Sequence, residues 1–350
     1  MATSKSPAPA IDKPKNESDE ILRVCSYHRS EFDTCLVRSH PRKLNEVSTC
    51  LQTAFDGPSS LDPDILARLS PESTTNILLQ LDIKSYLTFR QVNRRARHVA
   101  TNLHEYKLIA AHGLEGLKGL IRMKLVDKFT IRDLYLPLVN YKCAVCGDFG
   151  GCLFLLTCTR CCFSCINSSP ELRVRPEFNT SPEHTAYNQN TWNGHITMVL
   201  GILDSLGGTM HVNHTLKPTT SAGTTQLVSL CLAILEMRHK SRSLPQLENT
   251  LMEQVDSQAN RFASATAFPW YDLDTGRVER GVSCRGCHVR FDVLGAGNPQ
   301  VLKDSDRLFS CGGFLEHFES CTYLQNYWRD IKGGKMADLS QGWPAPVMSK

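Results

Sequence analysis

Between Leu61 and Val99 the apolar positions fall at Ile77, Leu78 and Leu81, then at Leu87, Val92 and Val99, the spacing of short amphipathic helices separated by breakers. Ser70-Pro71-Glu72 reads as a helix start. It offers a hydroxyl N-cap, a proline where a missing N–H costs nothing, and a carboxylate at the positive end of the dipole. Asp82 can cap a second helix over roughly 83–91, and Asn93 marks the break into a third. Residues 105–140 continue as helix, with Gly113 and Gly116 as punctuation and a last helix over Ile131–Val139. Upstream, residues 1–20 have almost nothing to bury and predict disorder. Residues 21–60 hold Ile21, Leu22, Phe32, Leu36, Leu51 and Phe55 without clear periodicity. Downstream, 166–192 reads as a linker; the apolar segments His195–Leu206 and Leu227–Met237 and a helix-like run over Gln246–Phe262 follow. No internal repeat is found, which excludes a propeller or a leucine-rich solenoid.

The pattern predicts a mainly α fold. Its divisions are a largely disordered tail (1–60), a three-helix module (61–104), and a helical connector with a first cysteine element (105–166). Linker and helical segments (167–259), a second cysteine element (260–330) and a C-terminal tail (331–350) complete it.

A hydrophobic content of 41% supports a buried core over most of the length, and a net charge of +4 gives no electrostatic reason to expect a nucleic-acid or membrane partner. The 15 cysteines change the picture. Residues 1–20 lack the apolar core of a secretory signal, so the expected setting is intracellular, cytoplasm or nucleus, where paired thiols are metal ligands more often than disulfides. The longest apolar stretches, such as Leu227 to Leu235, are too short to span a bilayer.

The first cysteine cluster runs Cys143-Ala-Val-Cys146 … Cys158-Thr-Arg-Cys161-Cys162-Phe-Ser-Cys165, with Cys152 between. Zinc takes four thiolates in a tetrahedron, and a Cys-x-x-Cys turn supplies one edge of it. Cys143 and Cys146 form one pair. The second is Cys162 and Cys165, with the overlapping Cys158 and Cys161 as the competing choice. The second cluster pairs Cys284-Arg-Gly-Cys287 with His317-Phe-Glu-Ser-Cys321, where i and i+4 on a helix face one ion together. His288 competes with His317, and Cys311 is left as a free thiol. One closed set of four cysteines, and one of three cysteines with a histidine, predict two structural Zn2+ ions rather than a catalytic one.

The stretch Leu66-Ala-Arg-Leu69-Ser-Pro71-Glu72 … Ile77-Leu78-Leu79-Gln-Leu81 … Phe89-Arg-Gln-Val92-Asn93-Arg94-Arg95 resembles an F-box, with Ser70 where the family usually has proline. The segments around Phe149-Gly150-Gly151, Arg160-Cys161-Cys162-Phe163, Glu279-Arg280-Gly281-Val282-Ser283-Cys284 and His317-x-x-x-Cys321 look like those of F-box proteins common in filamentous fungi. The resemblance implies an N-terminal F-box, further helical segments and two small zinc-stapled elements. It implies docking to the Skp adaptor, through it to a cullin, and recruitment of an unknown target for ubiquitination. Leu69, Pro71, Ile77, Leu78, Leu81, Leu87 and Val92 become candidates for the docking surface or the core behind it.

Two other classes fit less well. A zinc-ribbon nucleic-acid binder could use the basic run from Arg90 to His98, although the clusters themselves are not basic and lack a reading helix. For an enzyme, no His-Glu-x-x-His, Gly-x-Ser-x-Gly or phosphate-binding loop is present. His211-Val-Asn-His214 has no evident third ligand. A non-catalytic adaptor is the expected function.

Overall fold

The computed structural model describes residues 15–29, 32, 36, 48–54, 69–177, 209–213, 224–229, 258–295 and 297–333. The chain divides into two compact units. The smaller joins Met1–Arg29 to Gly281–Val347, and the larger spans Ser30–Arg280 with the last three residues.

In the smaller unit, α1 (Lys15–Cys25) runs into β1 (Ser26–Tyr27). This corrects the expectation of a disordered tail at these positions: Ile21, Leu22, Val24 and Cys25 are buried, a face whose value is visible only once partners from the far end of the chain arrive. Strand β1 pairs antiparallel with β10 (Val282–Cys284), which pairs with β11 (Leu308–Phe309). Around this sheet lie α10 (Arg285–Leu294), α11 (Pro299–Asp306), α12 (Cys311–Ser320) and α13 (Thr322–Lys332). Their common core includes Phe309, Phe314, Phe318, Leu324 and Trp328.

The larger unit opens with α2 (Pro71–Gln80), α3 (Ile83–Val92) and α4 (Arg94–Asn102). Each starts where the sequence signals it: the side chains of Ser70, Asp82 and Asn93 accept from the N–H groups of Ser73, Ser85 and Ala96. Helices α5 (His104–His112) and α6 (Leu114–Arg122) follow, broken at Gly113. Gly116 is not punctuation. It lies inside α6, where a Cβ would stand 2.5 Å from the Phe268 ring, so it is the absence of a side chain that admits that ring. Helix α7 (Ile131–Val139) is opened by a Thr130–Asp133 capping box.

The remainder of this unit is small sheets. Strand β2 (Cys152–Phe154) is central between β3 (Thr159–Cys161) and β7 (Ala265–Ala267), so the sheet of the first cluster draws a strand from far downstream. Helix α8 (Phe163–Ser168) lies between β3 and β4 (Val174–Glu177) in the chain; β4 pairs with β6 (Thr224–Ser229), which also pairs with β5 (Thr209–Asn213). Strand β5 carries His211. Helix α9 (Gln258–Ala263) precedes β7, and a hairpin of β8 (Trp270–Tyr271) and β9 (Val278–Glu279) follows it. The segments His195–Leu206 and most of Leu227–Met237 and Gln246–Phe262 lie outside the described residues.

Candidate functional sites

The first cluster begins as a knuckle. After Cys143-Ala-Val-Cys146 the chain turns through Gly147 at φ +80°, a conformation open to glycine, and the Gly147 N–H donates to the Cys143 carbonyl at 2.9 Å. Strands β2 and β3 then return the chain to Cys162, the N-cap of α8, whose sulfur accepts from the Cys165 N–H at 3.4 Å. The sulfurs of Cys143, Cys146, Cys162 and Cys165 converge, all within 4.8 Å of one another, and those of Cys146 and Cys162 are 3.6 Å apart. Tetrahedral zinc requires roughly 3.8 Å between sulfurs.

Cys158 and Cys161 point elsewhere. Pro137 sits inside α7 without an N–H, which leaves the Asp133 carbonyl without its helical donor. The Cys158 thiol, held at φ +51°, donates to that carbonyl at 3.6 Å. Burial pushes the Cys158 thiol well up, which keeps the proton that this role needs. The Cys161 sulfur lies 3.9 Å from the Cys152 carbonyl, and both side chains are buried.

Between these cysteines stands Arg160, whose structural role no spacing in the sequence announces. Arg160 is fully enclosed and donates to the carbonyls of Pro137 (2.7 Å), Gly150, Phe268 (3.0 Å) and Pro269. Burial lowers its pKa to about 10, still far above neutrality, so a charged guanidinium is held by four carbonyl dipoles.

In the smaller unit Cys284 is the N-cap of α10, and its sulfur accepts from the Cys287 N–H at 3.4 Å. Cys321 caps the end of α12, and its N–H donates to the His317 carbonyl at 3.0 Å, which places the pair one turn apart. The Cys287 sulfur lies 3.3 Å from His317 Nε2, the sulfurs of Cys284 and Cys321 are 4.0 Å apart, and all four ligand atoms fall within 4.8 Å of one another. The His317 ring is stacked on Phe309 at 4.4 Å, which fixes its plane. Gly286 lets the knuckle approach α13, since a Cβ there would meet the Leu324 backbone N at 2.6 Å. His288, the competing ligand, instead faces Asp292 at 3.8 Å and the edge of Tyr27.

Both sets fit a metal ion by chemistry as well as spacing. With protein groups alone the sulfurs of a set do not ionise together. Hydrogen bonds from Cys162 and Cys165 hold the Cys143 thiol far down, while its bonds with Cys143 and Cys165, with burial added, drive Cys162 up. At the second set, bonds from Cys284 and Cys287 hold Cys321 down, and burial first drives Cys284 up. For Cys287 the bond with Cys284 lowers the pKa, but the bond with Cys321 and burial outweigh it and push it up to about 12. A divalent cation removes the conflict, because the thiolate is the ligand form.

The helical module has its own surface. Leu78 is buried in the core, and Leu81 and Leu87 pack partly against it. Leu69, Ile77 and Val92 are exposed, Val92 at 68%, and Pro71 is exposed at the start of α2. The family model of the F-box domain matches residues 66–108. The chain carries an F-box. The match runs past 104 into α5, beyond the boundary the pattern suggested. No significant match is found among curated proteins or among solved structures, so the likeness of the later segments to a fungal group of F-box proteins has no support from these comparisons.

The F-box's basic tail is partly consumed inside the domain. Arg90 donates to the Leu51 carbonyl at 2.9 Å and Arg97 to the carbonyls of Cys50 (2.8 Å) and Thr53 (3.2 Å). The Tyr106 hydroxyl also donates to Leu51, at 2.9 Å. Residues 48–54 are thereby strapped onto the F-box core, a contact no spacing in the sequence announced.

Proposed function

We propose that the chain is the substrate-receptor subunit of a Skp–cullin–F-box ubiquitin ligase, with no catalytic residue of its own and with two structural zinc ions. The single observation that carries this reading is the F-box at 66–108 with apolar side chains left on its surface. An exposed leucine, isoleucine and valine within one small helical module are what a partner groove would cover, and such anchors concentrate binding energy. Zinc is favoured by donor chemistry: all-thiolate or three-thiolate-plus-imidazole tetrads, closed to a fifth group, are its structural sites. The nucleic-acid alternative loses ground for a specific reason. Of the basic run from Arg90 to His98, Arg90 and Arg97 are buried and spent on carbonyls of the strap.

The test is co-purification of a Skp subunit with the full chain. Leu69→Ala with Pro71→Ala, or Ile77→Asp with Val92→Asp, is expected to abolish it while circular dichroism and zinc content stay as in the parent. Retention at the parental level by both double variants would overturn the docking surface.

A further inference from the structure

The two tetrads differ in what surrounds them. In the first, Ala144, Val145, Cys146 and Gly147 are all exposed, and a Cβ built on Gly147 would meet nothing within 4 Å. In the second, the four residues from Cys284 to Cys287 are all buried, and the knuckle is pressed against the Leu324 backbone. Of the eight ligand residues Cys146 alone is exposed; Cys143, Cys162 and Cys165 are buried behind it, and His317 and Cys321 are partly covered. The ligand form of cysteine, the thiolate, is also its nucleophilic form. Oxidants select thiolates that solvent reaches and that have a second sulfur nearby to complete a disulfide. Cys146 meets both conditions, with the Cys162 sulfur at 3.6 Å.

We propose that Cys146 is a site of oxidation by hydroperoxides, with Cys162 as the resolving cysteine, and that its oxidation opens the first tetrad while the second stays closed. The Cys146 thiolate attacks one peroxide oxygen. The S–O bond forms as the O–O bond breaks, and the departing hydroxide takes a proton to become water. The Cys162 thiolate then attacks the Cys146 sulfur; the S–S bond forms, the S–O bond breaks, and the second hydroxide leaves as water after protonation. The two sulfurs give up two electrons, and the peroxide takes them. Cys143 and Cys165 then remain as the only ligands, too few to close a tetrahedral set. Resting on the two-zinc reading above, the assignment makes the larger unit, which carries the F-box, sensitive to peroxide.

The probe is hydrogen peroxide added to the full-length, zinc-loaded chain. Released zinc is read with a chromogenic chelator, and cysteine states by alkylation and peptide mass mapping. One ion is expected to leave at least about tenfold faster than the other. When it has left, Cys146 and Cys162 should be joined, and Cys284, Cys287 and Cys321 should still be free thiols. Dithiothreitol with added zinc should reverse the change. Cys146→His puts a nitrogen ligand in place of the exposed sulfur and should hold two ions, both released at the slow rate. Cys50→Ser, which removes the other exposed cysteine among the described residues, should behave as the parent. Release of both ions at one rate, or loss of the first with Cys146 unmodified or joined to another sulfur, overturns the assignment. Elemental analysis before peroxide separates the two readings. Fewer than two ions overturns the two-zinc reading, while the Cys146–Cys162 bond, formed or not, still decides the oxidation.

Discussion

Arg160 ties four carbonyls from three separate stretches of the larger unit, and among the described residues no carboxylate helps it. Arg160→Met should therefore strand several buried acceptors, at about 1–3 kcal/mol each, and lower the urea midpoint of that unit sharply; a midpoint within error of the parent would contradict this role. Arg160→Lys keeps the charge without the planar fork and should rescue only part of the loss. Tyr106 supplies a pH signature. Burial first raises its pKa from 10.0 to about 12, so the folded state keeps a proton that the unfolded chain gives up. That contribution is complete below pH 10 and is lost as pH rises toward 12. Tyr106→Phe should cost about 1 kcal/mol near neutrality for the bond to Leu51, and flatten the fall of the denaturation midpoint between those two pH values. An unchanged alkaline slope would mean another group carries it.

At the scale of elements, caps were the most legible feature. Ser70, Asp82 and Asn93 all open helices in the structure, because a cap is a local exchange between one side chain and nearby N–H groups. What stayed hidden depends on distant partners. Residues 15–27 form helix and strand only against Val282–Cys284 and the last helices, and residues 48–54 are held by Arg90, Arg97 and Tyr106. The strands of the first cluster are three residues long, too short for an alternating pattern to declare itself. The ligand choice at that cluster was open in the sequence. The structure brings the sulfurs of Cys162 and Cys165 to those of Cys143 and Cys146, while Cys158 instead donates to the Asp133 carbonyl that Pro137 leaves without a helical donor. At the second cluster, Gly286→Ala should force α10 away from Leu324 and cost about 1–3 kcal/mol despite alanine's better helix propensity. Thermal unfolding of the variant, with zinc content read alongside, checks it; a variant as stable as the parent would contradict the close approach.

For the whole molecule, each unit contains one tetrad, so metal and stability should be separable. Elemental analysis is expected to give two zinc ions per chain. Cys143→Ser with Cys146→Ser should leave one and destabilise the larger unit, and Cys284→Ser with Cys287→Ser should leave one and destabilise the smaller. Visible absorbance from iron would contradict zinc at these thiolates. No helix among the described residues is long and apolar enough to cross a membrane. Affinity purification of the native protein, followed by identification of its co-purifying subunits, decides whether this F-box works as a ligase receptor. A Skp adaptor and a cullin are expected in stoichiometric amounts. Recovery of the chain with nucleic acid and without either subunit would contradict it.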